Sequence, residues 1–273
     1  MKPAPFEYVA VDSWEAAVEA LTDDAQVLAG GQSLVPLMNR RAVRPARLVD
    51  INGIPGLIRR TDGVLRIGAT VRQAALERSV VAEHWPLLRQ ALRHAGHPAT
   101  RSRGTVGGSV AHADPRAELV CALTALDARY ETTERVLATA PVLAPREGAT
   151  GDGSSALAPR ELLVSIELPP LPPGAKTAFA EHARTRGDFA DAAAAVVLAP
   201  GHAAVVIFAA GRAGDALAAP PGARRASAAE RALRNGATAA EAAALAAELV
   251  DGDHPRALVA EVTRRALVQA GHA

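Results

Sequence analysis

Apolar and polar positions change spacing several times along the chain, and each change predicts an element. In "SWEAAVEALTDD", Trp14, Ala17, Val18 and Leu21 share one helical face behind Ser13, a suitable N-cap. "AQVLAG" reads as a short buried strand. "SLVPLMNRR" reads as a short helix capped by Ser33, with Pro36 tolerated in its first turn, and "ARLVDING" as a strand running into a turn. This strand, helix, strand order predicts a small α/β unit.

"GVLRIGAT" alternates like a strand, and "TVRQAALERS" follows as a helix opened by Thr70. In "EHWPLLRQALRHAG", Leu87, Leu88, Ala91, Leu92 and Ala95 form an apolar stripe, with Gly96 as C-cap. "HPATRSRGTVGGSVAHADPRAE" is rich in Gly, Pro, Ser and charge and reads as a long polar segment. "LVCALTALDARYE" resumes as a buried helix or a helix leading into a strand. "TAPVLAPREGATGDGSSALAPREL" carries no periodicity and reads as a mobile loop. "LLVSIELPPLPPGAK" is a strand entering a proline-rich link, the expected domain boundary. Beyond it, "DAAAAVVLAP" and "AAVVIFAAG" read as strands joined at "PGH", followed by helices in "SAAERALRNG", "TAAEAAALAAELV" and "RALVAEVTRRALVQA".

A length of 273 residues with 49% apolar residues suits two lobes, or one large domain with an appended part, and a sizeable core. A net charge of +1 without long runs of one sign argues against nucleic acid as the main partner. One cysteine, Cys121, excludes an internal disulfide framework and reads as a buried hydrophobe. The absence of a signal-like or membrane-spanning apolar run leads to the expectation of a soluble, cytoplasmic protein.

Two glycine pairs are the candidates for chemistry. Gly30-Gly31-Gln32-Ser33 lies between a strand and a helix, where bare backbone permits positive φ and close ligand approach. Its N–H groups and the helix dipole could cradle a pyrophosphate; a tight turn without a ligand explains the same residues. Thr105-Val106-Gly107-Gly108-Ser109 repeats the arrangement, so one diphosphate could be clamped between the two loops. Neither loop has the spacing of a dinucleotide fingerprint or a nucleoside-triphosphate loop. In "HADPRAE", Asp114 and Glu118 suit ribose or ribityl hydroxyls, or simply the first turn of the next helix. Phe189, one of eight aromatics, could face a planar ring or pack in the core. His94 and His97 lack further ligands for a metal, and no nucleophile elbow is present.

Taken in order, "AGGQSLVPLMNRR", "LVDI", "IGATVRQ", "HPATRSRGTVGGSVAHADPRAEL" and "GDFADAAAAV" resemble the FAD-binding (medium) subunit of molybdenum hydroxylases, the carbon monoxide and xanthine dehydrogenase group. The resemblance covers most of the chain. It implies an α+β protein: an FAD-binding domain of the vanillyl-alcohol-oxidase type over residues 1–175, with subdomains 1–56 and 57–175. A C-terminal domain with a small antiparallel sheet then covers 176–273. It implies that FAD is held by Leu28, Ala29, Gly30, Gly31, Gln32, Ser33 and Leu34 and by Thr105, Val106, Gly107, Gly108 and Ser109. Asp114, Glu118, Leu163 and Phe189 would be further cofactor contacts. No catalytic side chain and no metal ligand is implied. The molybdenum cofactor and iron–sulfur clusters would reside in a large and a small partner subunit, and FAD would pass electrons to NAD, oxygen or another acceptor.

The sequence departs from the family in three places. Ala180 and Glu181 stand where several relatives carry a lysine near the flavin, so a positive charge there would have to come from Arg184 or Arg186. The stretch from Ala140 to Ala158 lacks an expected phenylalanine-containing segment, and "VVIFAAGRAGDALAA" replaces a glycine-rich strand end. A stand-alone flavin oxidoreductase and an assembly subunit that has lost FAD are the alternatives.

Overall fold

The computed structural model describes residues 2–138, 157–210 and 222–272. Most of the stretch read as a mobile loop, and all of "GRAGDALAA", lie outside the described residues.

The chain begins with a parallel sheet in the order β1-β3-β2, from β1 (Glu7–Ala10), β2 (Ala25–Leu28) and β3 (Arg47–Asp50). Between them run α1 (Trp14–Ala20) and α2 (Leu34–Asn39). Ser13 caps α1 as expected, accepting from the Ala16 amide at 3.2 Å. Ser33 does not cap α2: it is already in the helical region of φ and ψ, because Val35 N–H bonds Gly31 O and the turn starts earlier. Strand β1 has no apolar run to announce it, since Glu7, Tyr8 and Ala10 are exposed.

A five-stranded antiparallel sheet follows in the order β4-β5-β8-β6-β7. Its strands are β4 (Ile58–Thr61), β5 (Val64–Gly68), β6 (Arg129–Thr132), β7 (Val136–Ala138) and β8 (Leu163–Leu168). The helices accompanying it are α3 (Gln73–Arg78), α4 (Pro86–Leu92), α5 (Pro98–Arg103), α6 (Val106–His112) and α7 (Glu118–Ala125). Thr70 does not open α3; Arg72 holds the N-cap position and the buried Thr70 hydroxyl has no partner. The polar segment after Gly96 contains two short helices. Pro98 presets the first turn of α5, and the Thr105 side chain caps α6 by accepting from Gly108 N–H at 3.0 Å.

The remaining sheet is antiparallel, in the order β12-β11-β10-β9, from β9 (Lys176–His182), β10 (Ala192–Ala199), β11 (His202–Ala209) and β12 (Arg224–Arg225). Helices α8 (Ser227–Arg234), α9 (Ala239–Ala247) and α10 (Asp253–Gln269) accompany it. The expected "PGH" turn joins β10 to β11, with Gly201 at φ 72°. Strand β10 is apolar without alternation because both faces are covered. Ala193, Ala195 and Val197 join the main core with Leu65, Leu88 and Leu123, whereas Ala192, Ala194 and Val196 pack with Val259 and Leu267.

Candidate functional site

Strand β2 delivers the chain at Leu28 and α2 takes it up at Leu34. The amides of Gly30, Gly31, Gln32 and Ser33 between them donate to no described residue. Gly31 adopts φ 72°, a conformation that glycine reaches without a Cβ clash. Leu28, Ala29, Gly30, Gly31 and Gln32 line a groove of about 420 Å³ together with Val35, Pro36, Asp50, Asn52 and Arg103. Ser33 and Leu34 do not line it. Successive unpaired N–H groups beside a guanidinium are donors suited to a phosphate. The loop therefore fits the diphosphate of FAD.

The second glycine loop is built differently. Val106 N–H bonds Val71 O at 2.8 Å, Gly107 N–H bonds Ala69 O at 2.9 Å, and Ser109 N–H bonds Thr105 O at 3.2 Å. With Gly108 N–H held by Thr105, the amides of these four residues are satisfied inside the protein. Unpaired backbone amides therefore lie in the first loop and not in the second. The second still presents the Ser109 hydroxyl, which bonds no described residue.

The glycines also bring the loops together. A Cβ on Gly30 would stand 2.4 Å from Arg103 O and 2.7 Å from Gly104 Cα. A Cβ on Gly107 would stand 2.3 Å from Ala69 Cβ, while one on Gly108 would lie 3.7 Å from Ala29 Cβ. Gly30 and Gly107 thus let backbone pack on backbone, and the room left for a ligand lies mainly on the Gly31 side.

A second constellation gathers around the start of α7. Glu118 is 7% exposed, and its burial, reinforced by Glu181 and Asp114, pushes its carboxyl up to about 7. His94 Nδ1 lies 3.0 Å from Oε1 of Glu181, whose Oε2 is buried without a partner. The His94 ring leans on Phe179 with centroids 5.5 Å apart. Asp114 Oδ1 accepts from Arg116 N–H at 2.9 Å, and the Arg116 guanidinium lies 4.2 Å from the ring centre of the half-exposed Phe189. A Cβ on Gly187 would meet the His97 ring at 2.7 Å, so residues 94–97, 114–118 and 181–191 converge.

Arg184 is 84% exposed and lies 3.8 Å from Asp191. The cation beside Phe189 is Arg116, which sequence reasoning missed although it sits within "HADPRAE". Leu163 is buried in the main core, at the start of β8. Also missed were Asp50, Asn52 and Arg103 in the groove lining and Arg72 behind them. Cys121 is fully buried, and burial drives its thiol far above the ordinary range, as befits a core residue. Among the described residues no group of His, Cys, Asp and Glu could hold a metal ion, and no helix is long and apolar enough to cross a membrane.

Comparison with known proteins identifies the family. Residues 4–171 match the family model described as the FAD binding domain in molybdopterin dehydrogenase. The 6-hydroxypseudooxynicotine dehydrogenase complex subunit alpha of Paenarthrobacter nicotinovorans is 44% identical over 204 residues, 72% of this chain and 68% of that protein. The carbon monoxide dehydrogenase medium chain of Afipia carboxidovorans is 38% identical over 204 residues, covering 72% and 70%. Among solved structures, a chain of carbon monoxide dehydrogenase from Hydrogenophaga pseudoflava, lacking the Mo-pyranopterin moiety, superposes with TM-score 0.87 at 31% identity over 99% of both chains. A chain of quinoline 2-oxidoreductase from Pseudomonas putida 86 does so with TM-score 0.84 at 30% identity, over 99% of this chain and 98% of that one. The chain belongs to the family of FAD-binding domains of molybdopterin dehydrogenases, and is an FAD-binding oxidoreductase subunit of that kind.

Proposed function

We propose that this chain binds the FAD diphosphate in the groove walled by Ala29–Gln32 and Arg103, and relays electrons from iron–sulfur clusters of a small partner to an external acceptor. A large partner subunit would hold the molybdenum cofactor and hydroxylate the substrate. NAD, oxygen or another oxidant would receive the electrons, and the cytoplasm is the proposed location. The observation that carries the reading is the row of unpaired amides from Gly30 to Ser33, three of them on residues that line a groove of about 420 Å³. It also speaks against an assembly subunit that has lost its flavin.

When bound, FAD supplies the redox chemistry. The chain's own residues bind and orient it. The free amides and Arg103 would neutralise the diphosphate, and Ser109 would add a hydroxyl donor from the second loop. Asp114 and Glu118 would accept hydrogen bonds from sugar-like hydroxyls, with Glu118 able to donate while it keeps its proton. Phe189, stiffened by Arg116, would cover one edge of the ring, and Leu163 would stay behind it as packing. The division into residues 1–175 and 176–273 belongs to the same proposal.

The test is to purify the protein with whatever accompanies it, record the absorption spectrum and identify the released cofactor by mass. FAD, together with a large and a small subunit, is the expected result. A colourless protein unchanged by added FAD contradicts the proposal. Substrate turnover by the isolated chain would favour the stand-alone oxidoreductase.

A further inference from the structure

The two glycine loops touch, and one side-chain bridge fastens them from behind. The Asn52 carboxamide donates from Nδ2 to Ala29 O at 2.8 Å, on the first loop. Its Oδ1 accepts from Arg72 Nη2 at 2.5 Å. Arg72 Nη1 in turn donates to Arg103 O, the carbonyl against which Gly30 packs at the entrance to the second loop. The backbone of Arg72 forms a bridge with Thr105, so its side chain starts from the second loop's own flank. Asp50 completes the bracket: its carboxylate accepts from Tyr8 Oη and from both the backbone and the side chain of Asn52. Burial opposes the Asp50 charge, yet these bonds and the nearby Arg72 hold its carboxyl below the ordinary range. Both Asn52 and Arg72 use planar groups whose two arms reach two different segments. A planar fork fixes distance and angle together, which a flexible ammonium does not.

We propose that Arg72 and Asn52 are positioning residues that set the gap between the two glycine loops, and through it the affinity of the groove for the diphosphate of FAD. The inference rests on the assignment of that groove to FAD. Asn52 lines the groove edge but acts through Ala29, and Arg72 acts through Asn52 and the Arg103 carbonyl. Because the two side chains form one bridge, removing either opens it fully.

The test uses the full chain stripped of flavin, with FAD affinity read by flavin fluorescence and folding read by thermal melting without flavin. Asn52→Ala and Arg72→Met are each expected to weaken FAD about tenfold, and the double variant about tenfold rather than a hundredfold, because the effects of one unit do not add. Arg72→Lys, with one charge but no fork, should recover less than half of the loss on a logarithmic scale. The melting temperature of Asn52→Ala without flavin should stay close to wild type, since Asn52 is exposed. Additive losses, unchanged affinity, or full recovery by lysine would overturn the inference. A fall in melting temperature that tracks the loss of affinity would overturn it too, as general destabilisation. Gly31→Val separates the two levels. If it leaves FAD binding intact, the groove is not the FAD site; if it abolishes binding while the bridge variants bind normally, only the bridge is wrong.

Discussion

Gly107→Ala should damage the fold before it damages any ligand contact. The new methyl would stand 2.3 Å from Ala69 Cβ and 2.7 Å from its Cα. Ordinary contact begins at 3.4 Å, so helix α6 and the end of β5 must part by about 1.1 Å. Ala69 and Val106 are 4% and 0% exposed, so nothing flexible absorbs the shift. Overpacking of this kind costs about 1–3 kcal/mol. The displacement also stretches the bonds from Gly107 N–H to Ala69 O and from Val106 N–H to Val71 O, each worth about 1 kcal/mol. The total, roughly 3–5 kcal/mol, corresponds to a fall in melting temperature on the order of 6–20 °C for a chain of this size. Calorimetry or circular dichroism of the flavin-free protein measures it. A variant that melts within 2 °C of wild type yet fails to bind FAD would refute the reasoning, because Gly107 would then be clearing space for the ligand and not for Ala69.

Two further predictions concern the cluster at the start of α7. The Glu118 carboxyl is raised in the folded protein, so its contribution to stability is complete below about pH 4.5 and is lost as pH rises through about 7. Flavin-free wild type should lose stability on the order of 3 kcal/mol more than Glu118→Gln between pH 5 and pH 8, measured by urea denaturation; parallel profiles would contradict the assignment. His94→Ala should cost about 1–3 kcal/mol because it leaves both oxygens of the buried Glu181 carboxylate without a partner, and His94→Ala/Glu181→Gln should recover part of that; equal melting curves for all three proteins would show the pair to be idle.

Legibility in the sequence followed the physics of each segment. The helices behind Ser13 and over Leu87–Leu92 were readable because an apolar stripe meets one buried face. The run from Ala192 to Leu198 was readable as a strand although it does not alternate, since covering both faces makes every position apolar. The stretch "HPATRSRGTVGGSV" was read only as a long polar segment, and its two short helices were not recognised because no apolar stripe marks them. In the fold Gly107 serves close packing on Ala69, and Pro98 and Thr105 start two helices there. The first glycine loop identified the groove, which none of residues 105–109 lines, and the difference between the two loops was invisible: the partners that satisfy Val106 and Gly107 come from Val71 and Ala69, more than thirty residues away. Arg72 and Asn52 were illegible for the same reason, since an exposed asparagine after a strand carries no sign of what its carboxamide joins.

Amide hydrogen exchange with and without FAD tests the account most directly. The first glycine loop would donate backbone N–H groups to the cofactor, while the second is already closed on the protein. FAD should slow exchange at Gly30, Gly31, Gln32 and Ser33 by tenfold or more, and leave Val106, Gly107 and Gly108 slow in both states. Exchange at residues 30–33 that ignores FAD, or free-state exchange at 106–108 as fast as at 30–33, would contradict it.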